Sequence, residues 1–362
     1  MIGMRNGMQN TQKTGILTQS GTILIDLALQ GGGAHGAFTW GVLDRLLEEP
    51  KIRIEGISGT SAGSMNAAVL ASGFVHGGAK GARAALEKFW KHVSQAAVFS
   101  PFQRGPWDIM IGRWTLDHSP LFLAFDLASR LFSPYDFNPG AFNPLQAVLE
   151  KCTDFEVLSK APIKLFITAT NVRTGQGRVF RNAEITPDVL LASSCLPTLF
   201  QAVQIDGEAY WDGGYSGNPT ITPLVRECQS SDTLLIQINP VERQGTPRSA
   251  NEILNRLNEV AFNATLMKEL RMIALLRQLA DASNPDKKTP ESTRWANMRI
   301  HRIASDSMAH LTYSSKLNAE WSFLRMLCEQ GRHCAEDFLI KHGEDLNQRS
   351  SFDLDALLDM GA

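Results

Sequence analysis

Apolar residues in this chain gather into short continuous runs, each closed by a glycine-rich or polar turn. Residues 22–29, 52–58, 163–170 and 232–239 are strand-length and nearly unbroken, the pattern of buried core strands. Between them the spacing turns helical: from the glycines at 31–36 to Glu48-Glu49-Pro50, over 64–71, and near 83–95, 143–151 and 186–194. This rhythm predicts an α/β fold of three layers, α/β/α, around a mainly parallel central sheet. Residues 249–281 read as a long helix, 283–288 as a solvated break, 298–303 as an edge strand and 314–342 as helices packed on the core. Residues after 350 read as a loose terminus. The expected organisation is therefore a polar, disordered lead at 1–21, a main α/β domain at 22–245, and a mainly helical C-terminal extension at 246–362.

Composition narrows the partners. Lys and Arg number 35 against 37 Asp and Glu, so no basic excess exists to hold nucleic acid or to draw the chain strongly to an anionic membrane. A hydrophobic content of 43% in 362 residues is enough for a sizeable core. Five cysteines, at 152, 195, 228, 328 and 334, are odd in number and scattered, which suggests small buried residues in a reducing compartment rather than a disulfide framework or a metal site. No apolar run approaches membrane-spanning length, and residues 1–21 lack the apolar core of a signal peptide. A cytoplasmic protein is expected.

The chemistry concentrates at two strand ends. Gly59-Thr60-Ser61-Ala62-Gly63 stands between the run 52–58 and the helical stretch that starts at Ser64. A G-x-S-x-G between strand and helix is a nucleophile elbow, whose small flanking residues let the serine occupy a sharp turn with its hydroxyl exposed. Upstream, the strand 22–29 runs into Gly31-Gly32-Gly33-Ala34-His35-Gly36 and then a helix. Converging backbone N–H groups and a helix N-terminus favour an anion there: a dinucleotide pyrophosphate, or the oxyanion of an acyl-transfer intermediate. The nucleotide reading wants an acidic residue at the end of the second strand, but Glu55 lies within it and its tip delivers Ser61. Acyl transfer suits the pair better. Among the acidic residues after Ser61, Asp212 has the most distinctive setting, at the end of an expected strand and before Gly213-Gly214, although Asp-Gly-Gly is also an ordinary turn signal.

With these three motifs in this order, the chain resembles the patatin-like phospholipases over about residues 22–240. The resemblance implies a Ser-Asp dyad, with Ser61 as nucleophile and Asp212 as its base, an oxyanion hole at Gly31, Gly32 and Gly33, and motif glycines at Gly36, Gly59, Gly63, Gly213 and Gly214. It implies no metal and no organic cofactor. His35 departs from the pattern, since the family commonly carries Arg or Lys in this loop. An aspartate serves as a base for an alcohol only when partly desolvated and held against the hydroxyl. The competing arrangement is a triad in which Asp212 orients His301, His310, His333 or His342.

One further segment, 96–145, interleaves Phe99, Phe102, Trp107, Trp114, Phe122, Phe125, Phe132, Tyr135, Phe137 and Phe142 with six prolines. It predicts short helices and loops, serving either as a cap on the core or as an acyl-chain pocket or membrane-touching lid. The expected function is hydrolysis of carboxylic esters of phospholipids or lysophospholipids, with a lipid or acyl ester as substrate and peripheral membrane contact. A catalytically idle lipid-binding or regulatory protein on the same fold is the alternative.

Overall fold

The computed structural model describes Leu17 and residues 21–98, 100, 102–282 and 289–359. Most of the expected polar lead, Phe99, Pro101 and the expected break at 283–288 lie outside the described residues. Strand β1 (Ile23–Leu29) passes through the glycine loop into α1 (Gly36–Leu46), and β2 (Ile52–Gly59) turns directly into α2 (Ala62–Ala96). The two helical runs expected over 64–71 and 83–95 both belong to α2, which breaks from helical geometry only at Gly77 and Gly78. The aromatic segment then forms α3 (Pro106–Met110), α4 (Pro120–Leu131), α5 (Pro134–Phe137) and α6 (Pro144–Cys152), followed by α7 (Phe155–Leu158). Each of α3 to α6 begins on a proline, where the missing N–H costs nothing and the fixed φ already suits a helix. The prolines that forbid one long helix are thus the starts of several short ones.

Strands β3 (Lys164–Asn171) and β4 (Gly177–Arg181), helix α8 (Pro187–Ser193), and strands β5 (Val203–Ile205) and β6 (Glu208–Asp212) come next. The chain closes with α9 (Thr222–Glu227), β7 (Asp232–Ile236), α10 (Ala250–Ala282), α11 (Pro290–Ala296), β8 (Arg299–Ile303), α12 (Trp321–His342) and α13 (Ala356–Asp359). The sheet order is β5-β6-β3-β2-β1-β7-β8, with β4 also paired to β3. β1 runs parallel to β2 and β7, β2 to β3, and β7 to β8, while β4, β5 and β6 join antiparallel. The mainly parallel sheet is as the sequence predicts.

Successive residues of the central strands feed opposite faces, as a two-residue period requires. Leu27, Leu29, Ile57, Ile167, Leu234 and Ile236 join a core with α1, α2, α8 and α12, whereas Ala28, Phe166, Leu235 and Ile300 join a second core with α9, α10 and α11. The three layers follow from that division. Helix α1 is buried on almost every side because α12 covers it from outside: Trp40 stacks on Trp321 at 6.0 Å, and Arg332 pairs with Asp44 and Glu48. Each large apolar side chain buried here, such as Phe38, Leu43 or Leu327, contributes about 1.5–3 kcal/mol.

The end of the chain differs from expectation. Instead of a loose terminus after 350, the Phe352 N–H bonds the Ile300 carbonyl, and Leu354 and Leu357 are buried against the core that holds α10. The residues 298–303 do return as a strand, β8, at the sheet edge beside β7. Among the described residues no helix is long and apolar enough to cross a membrane.

Candidate active site

Strand pairing sets the site's dimensions. Leu29 pairs with Gly59, so the glycine loop and the Ser61 turn leave the sheet side by side. Ile167 of β3 pairs with Gly59 and Ala169 pairs with Asp212, which brings the end of β6 to the tip of β2. Residues separated by some 150 positions in sequence thereby meet at one edge.

Ser61 has φ 54° and ψ −123°, the left-handed side of the backbone map that a residue with a Cβ avoids. Such a conformation costs on the order of 1–3 kcal/mol and persists only where its surroundings enforce it. Here the Ser61 N–H donates to Ser193 Oγ at 2.9 Å, Ser193 Oγ donates to the Thr168 carbonyl at 2.7 Å, and the Ser61 carbonyl accepts from Ser64 Oγ at 2.6 Å. Two loop glycines are obligatory for close approach. A Cβ on Gly31 would lie 2.7 Å from both the Ser61 Cβ and the Thr60 carbonyl, and Gly33, at φ 58°, packs its Cα on the Lys316 carbonyl. The Gly31 N–H is not free: it donates to Asn218 Oδ1 at 2.7 Å. That corrects the expected three-donor hole, leaving Gly32 and Gly33 as the loop glycines that line the pocket beside Ser61. Gly59 packs on the Gly63 backbone across the Ser61 turn, Gly63 packs on the Leu29 carbonyl, and Gly36 opens α1 against Ala62.

Asp212 is 1% exposed, and its Oδ1 accepts from the Gly214 N–H at 2.7 Å across the turn that Gly213 begins. The Ser61 side chain lines the same pocket, near enough to act on this carboxylate. Burial pushes the Asp212 pKa up from 3.8 to about 7, against the opposing pull of Gly214, Ser61 and Lys316. The carboxyl therefore changes charge near neutrality, in the range where a general base works best.

Ser61 and Asp212 line a pocket of about 250 Å³. Its walls are apolar, from Met65, Phe89, Trp90 and Val93 of α2, Leu196, Leu199 and Phe200 after α8, and Phe262 of α10. The aromatic segment divides three ways. Phe102 lines the pocket together with Asn143, Pro144 and Leu145. Trp114, stacked on Phe323 at 5.1 Å, caps the core, and Phe122 is buried with its ring 6.4 Å from that of Phe102. Trp107, Phe132, Tyr135, Phe137 and Phe142 are exposed, together with Leu121, Leu123, Leu127 and Leu131 of α4.

The four alternative histidines do not gather here. His301 is fully buried between Asp232 and Ser351, each at 2.9 Å; His342 pairs with Asp345, His333 with Asp337, and His310 ends a short 3₁₀ turn. None lines the pocket. Glu55, the acidic residue a dinucleotide would need, is bound to Lys164 and to the N–H groups of Gln229 and Ser230. One cluster of metal-ligand type lies among the described residues: Asp26, Glu55 and Cys228, with ligand atoms within 4.8 Å of one another. Within it Glu55 is already bound to Lys164, and burial raises the Asp26 pKa to about 8. Sequence reasoning missed Ser193, Asn218, Asn239 and Lys316, which hold or flank the two loops. None sits in a motif, and each acts from a distant part of the chain.

Matches among solved structures are distant. VipD of Legionella pneumophila matches at 17% identity over 88% of this chain and 67% of its own, with a TM-score of 0.38. ExoU, in its complex with SpcU from Pseudomonas aeruginosa, matches at 18% identity over 94% of this chain and 76% of its own, with a TM-score of 0.25. No curated protein matches the chain. The family model for patatin-like phospholipases matches residues 27–225, which is more than half of the chain and takes in the glycine loop, the Ser61 turn and Asp212. The chain belongs to the patatin-like phospholipase family.

Proposed function

We propose that this member of a lipid-hydrolase family is a serine acyl hydrolase that cleaves carboxylic esters of phospholipids or lysophospholipids through a Ser61-Asp212 dyad. The observation that carries this reading is a serine held at positive φ beside a buried carboxylate, the two lining one apolar pocket. Ser61 Oγ attacks the ester carbonyl carbon while Asp212 accepts the hydroxyl proton. The Gly32 and Gly33 N–H groups stabilise the oxyanion, and the start of α2 adds its positive dipole end. Collapse of the tetrahedral intermediate expels the alcohol, which takes the proton from Asp212. Water then attacks the acyl-Ser61 ester, giving its proton to Asp212, and Ser61 leaves with that proton as the fatty acid departs. Product analysis on a phospholipid tests the bond assignment. A free fatty acid and a lysophospholipid are expected, whereas diacylglycerol with a released phosphorylated headgroup would contradict it.

Because Asp212 must be ionised to accept a proton, kcat/KM should rise as pH passes through about 7 and then level. A flat profile from pH 5 to 8 would remove Asp212 as the base.

The exposed apolar side chains of α3 to α5 and the Phe102 wall support a lipid-facing role for this segment. Phe102→Ala should lower kcat/KM for a long-chain nitrophenyl ester at least about fivefold more than for a two-carbon ester, since each lost methylene contact is worth about 0.8 kcal/mol. Trp107, which lies outside the pocket, should leave that ratio unchanged when replaced by Ala. Equal losses on both esters for Phe102→Ala, with a lower melting temperature, would reduce the wall to a packing element.

A further inference from the structure

The family match ends at residue 225, yet a charged group from well beyond it enters the pocket. A 3₁₀ turn at Ser314–Leu317 lies over the glycine loop, with Ser315 Oγ 2.8 Å from His35 Nε2 and the Lys316 carbonyl packed on Gly33. Lys316 Nζ donates to Asn239 Oδ1 at 2.6 Å, and Asn239 Nδ2 in turn donates to the Gly31 carbonyl at 2.7 Å. The ammonium stands 5.3 Å from the Tyr313 ring and 6.0 Å from the Phe262 ring. All three side chains line the same pocket as Ser61.

An ammonium drawn out of bulk water is costly unless an opposite charge meets it. Here the partner within hydrogen-bond distance is a neutral amide. Glu259, the acidic group that acts on it most, is already held by Arg243 and Arg256. The cation next to it in the loop is absent as well, because burial, together with Lys316 and Arg243, keeps the His35 pKa well below its ordinary value and leaves that ring neutral. Burial lowers the Lys316 pKa to about 8 against the pull of Glu259 and of Asp212 in the same pocket, so below that pH Lys316 is the positive charge of the loop, bonded to a neutral amide and lining the space a substrate enters.

We propose that Lys316 is the anion-binding residue of this pocket, its ammonium taking an anionic oxygen of the substrate. The proposal rests on reading Ser61 as the nucleophile. The oxygen has two sources in a phospholipid: the phosphodiester of the headgroup and the oxyanion that forms on the ester carbonyl.

The test compares wild type, Lys316→Gln and Lys316→Arg. Calorimetry with octyl phosphate and octanol reads anion binding without any turnover. Wild type should bind the phosphate at least about tenfold more tightly than the alcohol, Lys316→Gln should lose that advantage, and Lys316→Arg should keep part of it. A role confined to holding Asn239 and the loop would leave the advantage in place. Hydrolysis then separates the sources, using a lysophospholipid and a monoacylglycerol with the same acyl chain. Loss of about 10–100-fold in kcat/KM on the lysophospholipid alone assigns the phosphodiester, and a similar loss on both assigns the oxyanion. Equal binding of octyl phosphate and octanol by wild type overturns the proposal even if Lys316→Gln fails to fold, and so does a Gln variant that keeps the phosphate advantage. A wild-type protein with no ester hydrolysis would instead contradict the Ser61 reading, and the calorimetric comparison would still decide on Lys316.

Discussion

Ser61→Ala is expected to abolish ester hydrolysis, with a loss on the order of 10⁴–10⁶ in turnover, because the covalent route disappears with the hydroxyl. What remains is the modest acceleration that a pocket and oxyanion donors give without a nucleophile. The fold should survive, since the bonds that hold the turn run through backbone atoms of residue 61: its N–H to Ser193 and its carbonyl to Ser64. The check is turnover on a lysophospholipid beside a thermal melt. A variant that melts like wild type and keeps more than a tenth of its turnover would sink the nucleophile assignment.

Asp212→Asn should be nearly as damaging to catalysis, but with the opposite effect on stability. The amide has almost the same shape and cannot take the Ser61 proton. Burial raises the folded-state pKa of Asp212 from 3.8 to about 7, so the folded protein keeps a proton that the unfolded chain has already released. The stability this gives is complete below pH 3.8 and is lost as pH rises through about 7. An amide never carries the charge, so the variant should be more stable than wild type at pH 8, by at most about 4 kcal/mol for three pKa units, and close to it near pH 4. Paired melts at the two pH values, with turnover at pH 8, read both effects. Single replacement of His310, His333 or His342 by Gln should leave most activity. His301→Gln should cost stability instead, because His301 joins Asp232 to Ser351 in the buried sheet edge. If a histidine variant that melts normally proved as inactive as Asp212→Asn, a triad would replace the dyad.

The parts of this molecule that could be read from its sequence are those in which cause and consequence are neighbours in the chain. A strand, a run of glycines and a helix are consecutive residues, so β1 and its loop, and β2 with Ser61, were legible directly. The parallel sheet followed from the same alternation. Long-range polar contacts leave no such trace. Nothing near Asn218 announces that it will occupy the Gly31 N–H, 187 residues away, and Ser193 meets Ser61 only because α8 packs behind β3. Lys316 reads as one more solvated lysine until the 3₁₀ turn lays it over Gly33. Aromatic content also misled by being a property of composition rather than direction. Of the described aromatics in 96–145, only Phe102 points into the pocket, while residues with no special pattern, Phe89, Trp90 and Phe262, complete its walls. The tail after 350 looked loose because it is short and terminal, and no strand- or helix-length pattern marks what it packs on. Leu354 and Leu357 are nonetheless enough to seat it on the core beside α10.

The most direct test of the account is fluorophosphonate labelling of the wild-type protein, followed by mapping of the modified peptide and measurement of the labelling rate against pH. A single adduct on Ser61, forming faster as pH rises through about 7 and far more slowly in Asp212→Asn, is the predicted result. Hydrolysis that persists with no adduct, or with the adduct on another residue, would contradict it.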